Sequence, residues 1–272
     1  MRAYYINLAR RPERQETMER RFSELGIVFE RIEATTPADI THEQRARFCD
    51  PTAYRWQTEG ELACSLSHTM ALRAFLATNE THAAIFEDDA ILSATLPRFM
   101  DAFAGAAGNI DVLRLETDNA RLRLSPAPEA SIAGFAVHQL YNAGGGAAAY
   151  IVSRRAAERI LDGEEILANL TDQALFNPLA PLSRSLVVRQ LVPALAIQED
   201  RVMPVEQRNR LETSDLEPLR RDRGAVDGAN FWRRSAYNLY DLWQRDIVDA
   251  FRKLWNRYAL GVTKTDIPFQ AE

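Results

Sequence analysis

The stretch HAAIFEDDAIL, His82 to Leu92, decides the reading of this chain. An apolar run, Ala83 to Phe86, has the look of a buried strand, and it opens directly into Glu87, Asp88 and Asp89. Apolar residues resume at Ala90, Ile91 and Leu92. Adjacent carboxylates repel one another, and burial raises their cost. An ordinary turn into a helix needs one acid, as an N-cap. Three in a row point to a cation, or to a ligand that brings one. In an extended segment alternate side chains share a face, so Glu87 and Asp89 point one way and Asp88 the other. Hard divalent ions, Mg²⁺ or Mn²⁺, take such carboxylates together with phosphate oxygens. The plainer alternative is an acidic turn that caps the next element or pairs with an arginine.

Outward from this stretch, strands and helices alternate. RAYYINL (2–8) reads as a buried strand, and RPERQETMERRFSELG (11–26) as a helix opened by Pro12 and closed by Gly26. IVFERIEA (27–34) alternates like a second strand, and GELACSLSHTMALRAFLATN (60–79) carries a helical apolar spacing. IDVLRLE, Ile110 to Glu116, reads as one strand that again ends in an acid, and AAAYIVS (147–153) leads into the helix RRAAERILDG (154–163). Such alternation predicts an α/β domain with an open, mostly parallel sheet. Ligands on such sheets bind beyond the carboxyl ends of the strands, where Glu87–Asp89 and Glu116 fall. The spacing divides the chain into a main domain over 1–200, an exposed polar loop over 201–230, and an amphipathic extension over 231–272.

The bulk composition excludes several classes. The 272 residues carry a net charge of -5, which does not favour nucleic acid as a partner. Two cysteines, Cys49 and Cys64, make no disulfide framework or zinc motif by spacing. No run approaches the roughly 18 uncharged apolar residues of a membrane span. The opening MRAYYINLARRPERQ lacks an apolar leader core, so a cytoplasmic protein is expected.

Several blocks, in order, resemble glycosyltransferase family 25, the lipopolysaccharide-type sugar transferases that include β-galactosyltransferases. They are YYINLARRPERQETM, FERIEATTPADI, GELACSLSH, IFEDDAIL, GGGAAAYIVSRRAAERIL, LTDQALF and VPALAIQEDR, covering roughly Ala3 to Arg201. The sequence departs from the family's usual pattern at Ala63, where glycine is common, and in the extra glycines of Gly144–Gly146. The resemblance implies the nucleotide-sugar transferase fold called GT-A and inverting transfer of a hexose. The implied donor is UDP-galactose, and the acceptor a glycan or lipid-linked glycan. Mn²⁺ or Mg²⁺ on Glu87 and Asp89 would carry the leaving diphosphate.

On that resemblance Asn7, Arg10, Arg14, Glu61, Ser67, His68, Asp88, Gly145 and Gln198 are candidates for the donor side. Asp172 matches the family's aspartate and is the first candidate for general base, with Glu116, Asp118 and Asp200 as others. Capping the helix that follows is the plainer role for Asp172. Related transferases often use a late histidine as a further metal ligand. Here the last histidine is His138, so Gln198, Glu199 or Asp200 stand in. A silent sugar-binding relative, or a metal-dependent phosphohydrolase or nucleotidyltransferase, are the competing classes. In the amphipathic stretch Trp232, Ala236, Leu239, Trp243, Ile247, Ala250, Leu254 and Tyr258 recur at intervals of three and four among arginines. Such a helix suits peripheral contact with the inner face of a membrane over 231–260, or packing over the main domain as a brace.

Overall fold

Strand β1 (Arg2–Asn7) lies between β2 (Phe29–Glu33) and β3 (His82–Glu87) and is parallel to both. Helix α1 (Pro12–Glu24) makes the first crossover, with Pro12 in its opening turn and Gly26 leaving it at φ +65°. Helices α2 (His42–Phe48) and α3 (Glu59–Leu76) make the second. The computed structural model describes residues 1–53, 55–202 and 249–272. After β3 come β4 (Ala90–Leu92), α4 (Leu96–Ala106), β5 (Val112–Arg114), β6 (Glu116–Thr117) and β7 (Leu122–Leu124). Next are β8 (Ala130–Ile132), β9 (Phe135–Gln139), β10 (Ala149–Ser153), α5 (Arg154–Asp162), α6 (Thr171–Phe176) and α7 (Pro181–Arg184). The described chain ends with β11 (Val188–Val192), β12 (Ala196–Gln198), α8 (Glu199–Val202), α9 (Asp249–Tyr258) and β13 (Thr263–Thr265).

The large sheet runs β2-β1-β3-β10-β5-β11-β9-β8. It is α/β, as expected, but mixed rather than mostly parallel. β10 is antiparallel to both β3 and β5, and β9 is antiparallel to β11 and β8. The reason is local: the loop before β10 lies at the carboxyl ends of β3 and β5, so the strand it feeds can only run back down. Apolar residues on both faces of β10 suit that central slot. Ala149 and Ile151 join Phe22, Phe86, Phe99 and Phe103 under α1 and α4. Tyr150 and Val152 join Ile85, Leu72, Phe75 and Phe176 under α3, α5 and α6.

The expected strand Ile110–Glu116 is divided. Val112–Arg114 stays in the large sheet, while Glu116 and Thr117 pair with Ala196 and Ile197 in a small sheet ordered β4-β12-β6. Leu115 is the pivot, donating its N–H to Ala149 O and accepting from Leu195 and Ala196. This small sheet gathers the residue after the acid cluster, Ala90, against Gln198, and it sets Glu116 beside them.

The C-terminal residues do not form a separate extension throughout. β13 pairs with β7, Ala194 exchanges backbone hydrogen bonds with Pro268 and Gln270, and Ala94 N–H donates to Ala271 O. Val262 and Ile267 are buried, so 262–271 belong to the main domain's packing. The loop expected over 201–230, beyond Val202, and the amphipathic stretch before Asp249 lie outside the described residues. No described helix is long and apolar enough to cross a membrane.

Candidate active site

The site is built where β1, β3 and β6 end. Glu87 closes β3 on the face toward α3, following Ala83 and Ile85, while Asp88 turns to the α1 side. There Asp88 accepts from Asn7 Nδ2 at 2.7 Å and from Arg14 Nη1 at 2.9 Å. Burial raises the Asp88 pKa, and Arg14 and Asn7 pull against it. Asn7 also donates to Arg11 O and accepts from Arg31 Nε, so it ties three segments together at the end of β1. The donor-side candidates Asn7 and Arg14 therefore meet, through the third, Asp88. Arg10 is exposed just beyond the strand.

Asp89 has one oxygen, Oδ1, that is enclosed and has no hydrogen-bond partner among the described residues. Its pKa is pushed up to about 8, first by burial and then by the charge of Glu87. Its backbone carbonyl accepts from Glu199 N–H at 3.0 Å, which brings the start of α8 alongside. Of the late candidates, Glu199 is taken by Arg21 at 2.6 Å. Asp200 adds to the charge felt by Asp89 and has its own Oδ1 enclosed without a hydrogen bond. Glu87, Asp89 and Asp200 thus share one electrostatic neighbourhood, with Arg201 Nε 3.4 Å from Asp200 Oδ1, and the enclosed, unpartnered Asp89 Oδ1 is the atom there that a hard divalent cation would satisfy.

Glu116 is fully buried, and its pKa is also pushed up to about 8. Burial is the main cause; the neighbouring Arg114 lowers it and Glu87 raises it again. Three of the base candidates share one task. Asp118 Oδ2 accepts from Gly145 N–H, Asp172 Oδ2 from Gly146 N–H and Glu116 Oε1 from Ala148 N–H, each at 3.1 Å. The glycines are needed for this. A Cβ at Gly145 would lie 2.7 Å from Asp118 Oδ2; Gly146 has φ +83°, and its Cβ would lie 3.0 Å from both Glu116 oxygens. The close approach expected of Gly144–Gly146 is thus made to carboxylates and to Arg114.

Asp172 is not the N-cap. Leu170 holds that position, and Asp172 lies in the first turn of α6, with Oδ1 accepting from Gln173 N–H at 2.7 Å. Glu61 and Ser67 depart from the donor-side expectation. Glu61 completes a capping box with Thr58 at the start of α3, and Ser67 Oγ accepts from Thr35 N–H and donates to Ala63 O. Their polar atoms are committed to the fold. His68 lies deeper, 3.0 Å from Tyr150 Oη and 3.3 Å from Glu87 Oε1.

Arg114 was not anticipated. Fully buried, it donates Nη1 to Glu116 O and Gln190 Oε1, donates Nη2 to Gly145 O, and lies 5.7 Å over the Phe176 ring. An uncompensated buried charge costs several kcal/mol; the guanidinium is held by Glu116 O, Gln190 Oε1 and Gly145 O, with the Glu116 carboxyl 3.6 Å from Nε. The signal was one arginine inside the apolar run DVLRL.

The family model for glycosyltransferase family 25 (LPS biosynthesis protein) matches residues 1–173. The lacto-N-neotetraose biosynthesis glycosyltransferase LgtB of Neisseria gonorrhoeae is 28% identical over 251 residues, 88% of each chain. The lipooligosaccharide biosynthesis protein lic2B of Haemophilus influenzae is 27% identical over 226 residues, 77% of this chain and 81% of that one. A crystal structure of a glycosyltransferase involved in glycosylation of the major capsid of PBCV-1 aligns with 11% identity and a TM-score of 0.38, over 76% of this chain and 97% of that one. With the match spanning well over half its length, the chain belongs to glycosyltransferase family 25 and is a glycosyltransferase.

Proposed function

We propose that the protein is an inverting, metal-dependent hexosyltransferase of the GT-A type. It moves galactose from UDP-galactose to a hydroxyl of a glycan acceptor in lipopolysaccharide or lipooligosaccharide assembly. The observation that carries the metal reading is the enclosed, unpartnered oxygen of Asp89 beside Glu87 and Asp200. Glu87, Asp89 and Asp200 are partly buried, and like charges brought together this way repel one another, which a cation would offset. The likeness to LgtB and lic2B, proteins of lacto-N-neotetraose and lipooligosaccharide biosynthesis, supports the choice of acceptor class.

A bound divalent cation offsets the charge of the diphosphate and eases its departure. The chain's own residues do the rest. Asn7 and Arg14 fix the Asp88 turn, and Arg10, exposed just beyond β1, is proposed to contact the diphosphate. Gly145 and Gln198 border the sugar. Inversion needs a base on the acceptor hydroxyl, opposite the leaving group. Glu116 suits this poorly, since it is fully buried and its Oε1 is held by Ala148 N–H. Asp172 and Asp118 are only partly buried, and Asp172 is the proposed base. Exposed aromatics on α9 fit an acceptor carried on a lipid.

The test is a panel of UDP-sugars incubated with the full chain and Mn²⁺, reading UDP release. UDP-galactose is expected to be hydrolysed fastest, and added acceptor glycan to accelerate release. Chelation, or Asp89→Ala with an unchanged circular dichroism spectrum, should abolish the reaction. Full activity after chelation overturns the metal role, and a faster different donor overturns galactose.

A further inference from the structure

Cys64 and His68 stand four residues apart on α3, so they project from the same face of the helix. That face meets the end of β3. The Cys64 thiol, a His68 ring nitrogen and a Glu87 carboxylate oxygen all lie within 4.8 Å of one another. The imidazole is fully enclosed and stacks on the Tyr150 ring at 5.8 Å, so its orientation is set by packing. Its Nδ1 is 3.0 Å from Tyr150 Oη, and its Nε2 is 3.3 Å from Glu87 Oε1.

We propose that Cys64, His68 and Glu87 form a binding site for a thiophilic divalent cation of the Zn²⁺ class, chemically distinct from the oxygen set on Glu87, Asp89 and Asp200. A tetrahedral zinc with bonds of ~2.0–2.3 Å sets its ligand atoms about 3.3–3.8 Å apart. The ligand atoms of this trio lie within 4.8 Å of one another, and the 3.3 Å between His68 Nε2 and Glu87 Oε1 already matches it. Sulfur and imidazole select Zn²⁺ or Co²⁺, whereas Mg²⁺ prefers oxygen alone. With Nδ1 protonated and donating to Tyr150 Oη, the lone pair of Nε2 faces the site, and this outer hydrogen bond is the kind that orients a ligating histidine. Binding deprotonates the Cys64 thiol, and the proton passes to solvent. Three protein ligands leave a fourth position for water. Because Glu87 belongs to both sets, a thiophilic ion in this trio competes with the hard ion for one carboxylate. The inference does not rest on the proposed transfer reaction, since binding is read without donor or acceptor.

The experiment titrates chelator-stripped, desalted full-length protein with Co²⁺. The expected result is a near-ultraviolet thiolate-to-cobalt charge-transfer band that saturates at one equivalent. It is bleached by Zn²⁺ and persists in excess Mg²⁺. Cys64→Ser should remove the band and weaken Zn²⁺ by roughly tenfold or more, since a direct ligand matters at least as much as the outer partners that cost 10–100-fold. Cys49→Ser, at the other thiol, and Asp89→Asn, in the oxygen set, should both retain the band. A native chain that shows the band but transfers no sugar therefore counts against the transfer reading alone. As a check that needs no variant, Zn²⁺ should slow alkylation of Cys64 in the native chain, read by peptide mass. Absence of the band, its survival in Cys64→Ser, or alkylation that ignores Zn²⁺ overturns the site and leaves His68 and Glu87 as a hydrogen-bonded pair.

Discussion

Glu116 shows how a single carboxyl ties the fold to the chemistry. Its oxygen Oε1 holds Ala148 N–H, its neighbour Arg114 offsets its charge, and burial still lifts its pKa to about 8. An unfolded glutamate titrates near ~4.3. Between those two values the unfolded chain has released a proton that the folded chain keeps, so stability falls as pH rises through the window and levels off above it. The melting temperature of metal-free protein is therefore expected to drop between pH 5 and pH 8. Glu116→Gln keeps an oxygen for Ala148 N–H and removes the titration. It should flatten that slope and melt above the native chain at pH 8. An unchanged slope would transfer the effect to Asp89, the other acid raised to about 8. In the sequence Glu116 was visible as a strand-terminal acid. Arg114 is a charge in an apolar run, a signal that the sequence reading did not use, and its partner Gln190 is 76 positions away, with no local pattern to join them.

The loop between β9 and β10 is gripped by carboxylates from β6, from the turn after it and from α6, and this grip is where the base is sought. Asp172→Asn is expected to keep donor binding and lose turnover by roughly 10²–10⁴, the usual contribution of a positioned base. Near-normal turnover with a lower melting temperature would mean that Asp172 only anchors Gly146, and Asp118 would take the base role. Gly146→Ala tests the loop itself. At φ +83°, and with Glu116 oxygens 3.0 Å from the new Cβ, it should cost about 1 kcal/mol or more in denaturant unfolding. Gly105→Ala, in the last turn of α4 with nothing within 4 Å, is the control and should be neutral or mildly stabilising. A Gly146→Ala protein as stable as the control would remove the argument from backbone conformation. The periods of two and 3.6 gave away most strands and helices at this scale. They did not reveal the split at Leu115 or the small sheet β4-β12-β6, because those depend on which segments pair, and pairing partners 80 residues apart leave no periodic trace. The reversed β10 escaped for the same reason: a buried strand reads alike in either direction.

At the scale of the whole molecule, the end of the chain does two different things. Residues 262–271 are stitched to β7, Ala94 and Ala194, with Ile267 in the core under α3, α5 and α6. Just before them α9 presents Phe251, Leu254, Trp255 and Tyr258 at intervals of three and four, and these are 71%, 53%, 66% and 76% exposed. Leu254 and Tyr258 belong to the spacing read from the sequence, whereas Phe251 and Trp255 do not; the stitching after the helix leaves no such trace, since three short pairings carry it. The brace reading asks these aromatics to be covered, which the three described ones are not. Large exposed apolar side chains on one helical stripe, with Arg252, Lys253 and Arg257 on the same helix, suit an anionic lipid surface. Truncation at Phe231 cannot test this, because it would also strip Ile267 and β13 from the main domain. The discriminating variant is Phe251→Ser, Trp255→Ser and Tyr258→Ser together. Each basic residue near an anionic surface contributes about 1 kcal/mol, screened by salt. The native chain should therefore float with anionic vesicles at low salt and bind less at high salt. The triple variant should remain in the soluble fraction with an unchanged melting temperature, since exposed side chains support little packing. If the native chain ignores the vesicles, the membrane role fails. If the variant stays soluble only because it melts early, the aromatics are packed in solution after all, and the brace regains its place.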